Sequence, residues 1–393
     1  MSSGGIRLVS LIPGCGYGDA ATQYAAGLAD LGLPVSWYPT RDNSAEILAK
    51  DTATKDLQAD IRSCCESLWN TSQDCDTLLL SVPPWRWHRH WLNAMPGAAH
   101  YTQVAWEVER VPEEWVEVFK HYQRVFVPST FNRDSFIKAG VCAPVDVVPH
   151  IARTPEAVEP LAISGVNGDD FVFYTVGAWT ARKAIEDLVV AFLDSFGADE
   201  KVVLVIKTDA IDQMTRHSMD NTALQGPDGF RAMSWYTLSR IVARYRKPAR
   251  IHLLGDSLRP AGIDALHTRG DCFISLTRSE GWGLGAFDAL LHGNPVVITG
   301  WGGQLDYLGS DYPYLVDYTL RPTSESPPDG YYLRAQDVHW AHADTAHAGQ
   351  LMRRICEQRD QAAGVARDLQ NTLRERYSRA RIATQLAALM ERH

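Results

Sequence analysis

Apolar positions come in short, nearly unbroken runs, and between the runs they recur at helical spacing. Ile6–Ile12 is the first run and ends in Pro13-Gly14-Cys15-Gly16-Tyr17-Gly18. A helical pattern follows, with Tyr24, Leu28 and Leu31 on one face and Gly32 as its stop. Strand, glycine-rich turn and helix is how a nucleotide-type α/β fold begins. Strands are expected at Val35–Tyr38, Leu78–Val82 (closed by Pro83-Pro84), His100–Val108, Arg124–Val127 and Asp146–Val148, with a helix over Pro112–Tyr122. Residues 152–168 carry Pro155, Pro160, Gly165 and Gly168 with little periodicity and read as a linker.

Beyond the linker the same grammar restarts. Phe171–Val176 reads as a strand, Ala184–Phe196 as a helix, and Val202–Lys207, Arg250–Leu254, Phe273–Leu276 and Pro295–Thr299 as strands. Strands alternating with helical patterns imply parallel sheets covered on both faces. The expected fold class is therefore α/β, with two doubly wound halves facing a cleft. Residues 319–335 are turn-rich and read as a surface excursion, and the tail from Ala335 onward reads as helical, with an amphipathic stretch around Arg376–Arg392. The expected division is 1–160, 161–375, and a terminal helix over 376–393 packing back on the N-terminal domain.

Composition narrows the class. The chain has 393 residues, 45% of them hydrophobic and 22% charged, too apolar for a disordered protein and long enough for two cores. A formal charge of −9 argues against a partner built of phosphate backbone. Residues 1–163 hold 13 Lys+Arg against 19 Asp+Glu and the remainder 25 against 28, so neither half is a basic module and nucleic acid is not expected as a partner. Seven scattered cysteines without a C-x-x-C read as reduced thiols in a cytoplasmic protein. The N-terminal MSSGGIRLVSLIPG does not read as a signal peptide, and the apolar runs are far short of the ~20 residues that cross a bilayer.

Four stretches carry candidate chemistry. Ser279-Glu280-Gly281-Trp282-Gly283-Leu284-Gly285 follows a strand and opens a helix that reaches Asp288 and ends near His292. Its glycines let backbone approach a ligand, and the first amides of a helix favour an anion such as phosphate. Glu280 stands at a strand's carboxyl end, where open α/β sheets bind ligands; the alternative is a plain helix cap with Asp288 solvated. Gly177–Lys183 again links strand to helix. Arg182 and Lys183 oppose the helix dipole there, which favours a diphosphate ligand over an ordinary basic helix start. Gly16 and Gly18 form a third, weaker glycine turn; it is not G-x-G-x-x-G and does not read as an NAD site. Finally, Pro84–Trp91 gathers Trp85, Arg86, Trp87, His88, Arg89, His90 and Trp91, suited to stacking on sugar, meeting an anionic acceptor or touching a membrane, or simply to a core with a cationic rim. No metal-ligand spacing is present.

Together these stretches resemble the retaining glycosyltransferases of family four, with the GT-B fold of two facing Rossmann-like domains. The likeness runs through Val127–Asn132, Val147–His150, Tyr174–Lys183, Ile251–Asp256, Ser279–Leu284, Gly293–Val297 and Gly302-Gly303. It implies that Glu280 is the first carboxylate of the family's E-x7-E motif and holds donor-sugar hydroxyls. Asp288 then stands where a second glutamate is usual and binds the ribose. Backbone amides of Gly283, Leu284 and Gly285 meet the diphosphate, with Gly281, Trp282, Gly16 and Gly18 also on the donor side. Lys183 meets the phosphate of the leaving sugar, with Arg182 supplying the charge that the family often places directly after Gly177, where this chain has Ala178. On the acceptor side the expected residues are Trp87, His88, His100 and Glu107.

The resemblance thus implies transfer of a hexose from a nucleotide diphosphate sugar to a hydroxyl of a saccharide, lipid-linked or small-molecule acceptor, without metal or other cofactor. Polysaccharide, glycolipid or glycoconjugate biosynthesis is the expected setting, in the cytoplasm, with a peripheral contact at the inner face of the membrane as an option. The rivals are a GT-B nucleotide-sugar epimerase, which would convert the donor alone, and a non-catalytic sugar-binding protein.

Overall fold

The structure is a computed structural model that describes residues 4–41, 45–71, 74–84, 87–210, 234–325 and 338–391. Trp85, Arg86, the side chain of Trp87 and the middle of the turn-rich excursion lie outside the described residues. The chain divides into two compact units: the residues up to Glu156 together with those from Leu373 onward, and Ala157–Thr372.

Unit 1 runs β1 (Gly5–Leu11), α1 (Gly16–Asp30), β2 (Val35–Thr40), α2 (Lys50–Thr54), α3 (Ala59–Leu68), β3 (Cys75–Ser81), α4 (Trp87–Ala94), β4 (Ala99–Gln103), α5 (Glu113–Phe119), β5 (Arg124–Val127), α6 (Thr130–Lys138) and β6 (Val145–Val147). Its six strands pair in parallel in the order β2-β1-β3-β4-β5-β6. The apolar runs explain why. Leu78, Leu79 and Leu80 are consecutive and all fully buried, which requires cover on both faces of the sheet.

Unit 2 begins with β7 (Phe171–Val176), α7 (Ile185–Ser195), β8 (Val202–Lys207), α8 (Ser234–Val242), β9 (Arg250–Leu254), α9 (Pro260–Arg269), β10 (Cys272–Ser275), α10 (Leu284–Leu291), β11 (Val296–Thr299), α11 (Leu305–Leu308) and β12 (Leu315–Val316). These strands form a second parallel sheet, β12-β11-β10-β7-β8-β9. From β7 the chain builds outward through β8 and β9, then returns to the other side with β10. The order therefore reverses between β7 and β10, the kind of switch point where open α/β sheets bind ligands beyond the carboxyl ends.

After β12 come an antiparallel pair, β13 (Tyr318–Pro322) and β14 (His339–Ala343), and the helices α12 (Thr345–Glu357) and α13 (Arg359–Arg376). The excursion expected at 319–335 is thus partly strand, and the tail becomes helical only from Thr345, because β14 stands before it with Trp340 and Ala341 buried. The last helix, α14 (Arg379–Met390), belongs to unit 1. It packs so closely on α1 that a Cβ on Gly27 would lie 2.8 Å from Ala383, and Arg379 pairs with Asp30 and Asp60. The Tyr101 hydroxyl donates to the Met390 carbonyl at 2.5 Å.

The strand expected over His100–Val108 ends at Gln103. Val104 still donates to the Phe126 carbonyl, but Asn132 then takes both backbone groups of Trp106, at 2.9 and 2.6 Å, and holds that segment off the sheet.

Candidate functional site

Glu280 follows β10, and Arg182 and Lys183 follow β7, so the switch point of the second sheet brings them together. Lys183 Nζ lies 2.5 Å from Glu280 Oε1, and Arg182 Nη1 lies 3.1 Å from Glu280 Oε2. Arg182 Nη1 also donates to the Ser279 carbonyl at 2.7 Å, while the Arg278 amide donates to the Arg182 carbonyl at 2.7 Å. The two loops are thereby knitted together by backbone as well as by charge. The lysine stem runs past Gly177, where a Cβ would stand 3.6 Å from Lys183 Cε.

The Glu280 residue is only 7% exposed. Burial alone would push its carboxyl up, but Lys183 and then Arg182 outweigh that and hold it down at about 2. It is therefore an ionised acceptor throughout the physiological range. A carboxylate offers about four lone-pair directions and an ammonium three donors, so both partners retain capacity for a ligand.

Gly302-Gly303, after β11, backs the same loop. The Gly303 amide donates to the Glu280 carbonyl at 2.8 Å. Gly302 has φ +118°, and a Cβ there would lie 2.9 Å from that carbonyl oxygen, so only glycine fits.

Gly283 opens α10 in the left-handed region, φ +87°, its carbonyl accepting from the Tyr307 hydroxyl at 3.1 Å. The amides of Ala286 and Phe287 close onto Gly283 O, and those of Leu284 and Gly285 begin the helix. The helix begins at Leu284, so Asp288 stands little more than one turn from its beginning. It is half-buried, and its carbonyl accepts from His292. The Trp282 side chain is 2% exposed and packs against Phe287 and Tyr307 at 5.3 and 5.0 Å between ring centroids, so it supports α10 from the core. Gly285 likewise has a packing reason, since a Cβ would lie 3.1 Å from the Phe273 ring.

Gly281, between Glu280 and Trp282, is buried in unit 2; the remaining expected residues belong to unit 1. Gly16 opens α1, and Gly18 is glycine because a Cβ would meet the Ile12 carbonyl at 2.0 Å, whatever binds nearby. His88 is fully buried, with Nε2 3.2 Å from the Val82 carbonyl and Nδ1 2.5 Å from the Tyr122 hydroxyl. Burial drives its pKa down to about 4, so it is a neutral structural histidine and offers nothing to an acceptor. His100 stands at the beginning of β4, the end of the strand remote from the carboxyl edge, with Nε2 2.7 Å from the Met95 carbonyl. Glu107 lies just beyond the carboxyl end of β4 and is half-buried. The Trp87 side chain lies outside the described residues. Among the described residues no group of His, Cys, Asp and Glu is placed to hold a metal ion, and no helix is long and apolar enough to cross a membrane.

No family model matches this sequence, and no curated protein matches it. Solved structures do. The chain is similar over 98% of its length, and 99% of the other, to Anabaena HepE in complex with UDP and glucose (TM-score 0.60, 13% identity). It is similar to sucrose-phosphate synthase from Thermosynechococcus elongatus over 98% of each chain (TM-score 0.65, 14% identity). A glycosyltransferase from Rickettsia africae matches over 100% of this chain and 98% of its own (TM-score 0.67, 12% identity). At these identities the likeness establishes the fold alone: two parallel six-stranded sheets with flanking helices, matched along essentially the whole chain by structures of GT-B glycosyltransferases.

Proposed function

We propose that the protein transfers a hexose from a nucleotide diphosphate sugar to a hydroxyl acceptor, with retention at the anomeric carbon. The observation that carries this reading is the buried carboxylate of Glu280, held ionised by Lys183 and Arg182 at the switch point and beside the glycine start of α10. The likeness to HepE, whose structure holds UDP and glucose, and to a sucrose-phosphate synthase supports the same class of donor.

In this reading Glu280 accepts hydrogen bonds from sugar hydroxyls, and Asp288 meets the ribose. As the glycosidic C–O bond to the diphosphate breaks, the sugar gains oxocarbenium character and the leaving oxygen gains charge. Lys183, Arg182 and the first amides of α10 stabilise that charge, which is the largest electrostatic service available here. The acceptor hydroxyl attacks from the face that the diphosphate leaves, and its proton passes to the departing phosphate oxygen. Configuration is retained without a second carboxylate. In this scheme Lys183 and Arg182 supply the positive charge at the phosphates, so it requires no metal. A saccharide, lipid-linked or small-molecule hydroxyl is the acceptor, in polysaccharide, glycolipid or glycoconjugate synthesis.

The test is turnover. The protein is offered UDP-, GDP-, ADP- and dTDP-sugars with simple glycoside acceptors, and the products are resolved by chromatography and anomeric NMR. A new retained glycoside, absent with Glu280→Gln, is the expected result. Conversion of the donor with no acceptor present, or equal turnover by Glu280→Gln, contradicts the proposal.

A further inference from the structure

Among the described residues, three of the four buried charged side chains in unit 2 have an oppositely charged or histidine partner. Asp170 takes two bonds from Arg250, at 2.9 and 2.5 Å. Asp264 faces His292 Nε2 at 3.3 Å, and Glu280 has its two cations. Lys207 is the exception. It is 9% exposed, and its Nζ donates to the adjacent Thr208 carbonyl at 3.0 Å, with no carboxylate in ion-pair contact among the described residues. Asp209 and Asp256 act on it only from longer range, and burial lowers its pKa. Thr208 beside it is 2% exposed, and its hydroxyl has no hydrogen-bond partner among the described residues. A buried charge without a counter-ion is strongly destabilising, so such an ammonium points to an anion that arrives from outside.

Its position says which anion. Lys207 ends β8, paired in register with Val176 on β7, and its carbonyl accepts from the Gly177 amide at 3.0 Å. The Lys183 stem passes the same Gly177. Both lysines therefore emerge at one turn, at the carboxyl edge beside the switch point. Arg182, Lys183 and Glu280 together carry a single net positive charge, whereas the diphosphate of a nucleotide sugar carries two negative charges. Lys207 stands at the same edge as a further cation.

We infer that Lys207 is a diphosphate-binding residue of the donor site, acting beside Lys183, with the Thr208 hydroxyl as a second donor to the same oxygens. This rests on the donor reading proposed above. With two donors on Nζ still to place, the ammonium turns from the Thr208 carbonyl to a phosphate oxygen when the donor binds.

The experiment measures binding calorimetrically for wild type, Lys183→Ala, Lys207→Met and Lys207→Arg. The probes are UDP, GDP, ADP and dTDP, and the nucleoside of whichever diphosphate binds. Lys207→Met is expected to weaken the diphosphate about tenfold or more, as loss of a charge-assisted hydrogen bond implies, and to leave the nucleoside unchanged. Lys207→Arg is expected to restore most of the affinity. Removing an unpaired buried charge should leave the melting temperature of Lys207→Met equal to or above that of wild type. Equal weakening of nucleoside and diphosphate, or no weakening at all, overturns the inference. If wild type and Lys183→Ala differ while Lys207→Met matches wild type, only the role of Lys207 falls. If wild type binds no nucleoside diphosphate, the donor reading itself fails and this inference with it.

Discussion

Both units carry a six-stranded parallel sheet whose order reverses beside its first strand, yet they treat buried polarity in opposite ways. Among the described residues, unit 1 buries no Asp, Glu, Lys or Arg; its interior polar groups are neutral, such as His88, His150, Ser81 and Asn132. Unit 2 buries Asp170, Lys207, Asp264 and Glu280. Neutral buried groups joined by hydrogen bonds rigidify a core. Buried charges cost far more to hold and cluster where a ligand or reaction needs them. The difference puts the buried charges among the described residues in unit 2, where the proposed chemistry is placed, and leaves neutral hydrogen-bonded groups in the interior of unit 1.

The sharpest way to break that contrast is to mutate one buried polar group on each side. Glu280→Gln in unit 2 is expected to lower transfer by about 10²–10³-fold or more, the scale of losing one electrostatic contact to the reacting centre. His88→Phe in unit 1 loses the bonds to Val82 and Tyr122 and is expected to cost about 1–3 kcal/mol of stability, read by denaturant unfolding, with turnover per folded molecule unchanged. A folded His88→Phe protein without activity would erase the distinction.

Acid sharpens it next. His88 and His150 in unit 1 are both lowered by burial from 6.5 to about 4. Between those values the unfolded chain binds the protons and the folded chain does not, so their stabilisation is complete above pH 6.5 and disappears as the pH falls to 4. Each shift corresponds to about 3 kcal/mol at most. Glu280 runs from 4.5 to about 2, and Asp170 from 3.8 to about 2 under the pull of Arg250. Their contributions are complete above the unfolded values and are lost only as the pH falls towards 2. His252 in unit 2 is lowered too, chiefly by burial, but it is half-buried and weighs less. Hydrogen exchange at pH 7, 5 and 3 should therefore show unit 1 loosening first. Simultaneous loosening of both units, or of unit 2 first, contradicts this order.

A smaller effect separates the glycines. Gly283→Ala forces a side chain into φ +87° and is expected to cost about 1–2 kcal/mol, with a weaker grip on nucleoside diphosphate. Gly18→Ala in unit 1 fails for another reason, because its Cβ would collide with the Ile12 carbonyl; its defect should be in folding alone.

Much of this architecture is legible in the sequence because a strand buried on both faces writes itself as a nearly unbroken apolar run. Phe171–Val176 and Val202–Lys207 are of that kind and fold as strands to the residue, as do Arg124–Val127 and the half-buried Arg250–Leu254. Where the pattern misleads, a specific contact is responsible. Val104, Trp106 and Val108 continue an alternating pattern past the end of β4, but Asn132 captures the Trp106 backbone. The β13–β14 pair is hidden because Tyr318–Pro322 is exposed throughout and reads as a turn-rich surface.

The site divides in the same way. Glycines and charges after strands β7 and β10 mark Glu280, Arg182 and Lys183, but the ion pairs that join them reach far along the chain, 97 positions for Lys183–Glu280, and depend on β7 lying beside β10. His88 looks like a ligand amid Trp and Arg residues because a sequence does not show that Tyr122 and the Val82 carbonyl enclose it. Lys207 looks like the mere end of a strand. Only its burial without a carboxylate in ion-pair contact among the described residues singles it out.

The most direct test of the central claim is a hydrogen-exchange footprint of the tightest-binding nucleoside diphosphate on the wild-type protein. The strongest protection is expected in residues 177–187 and 279–291 of unit 2, where Lys183, Arg182, Glu280 and the start of α10 lie. Protection confined to unit 1, or none at saturating ligand, would contradict it.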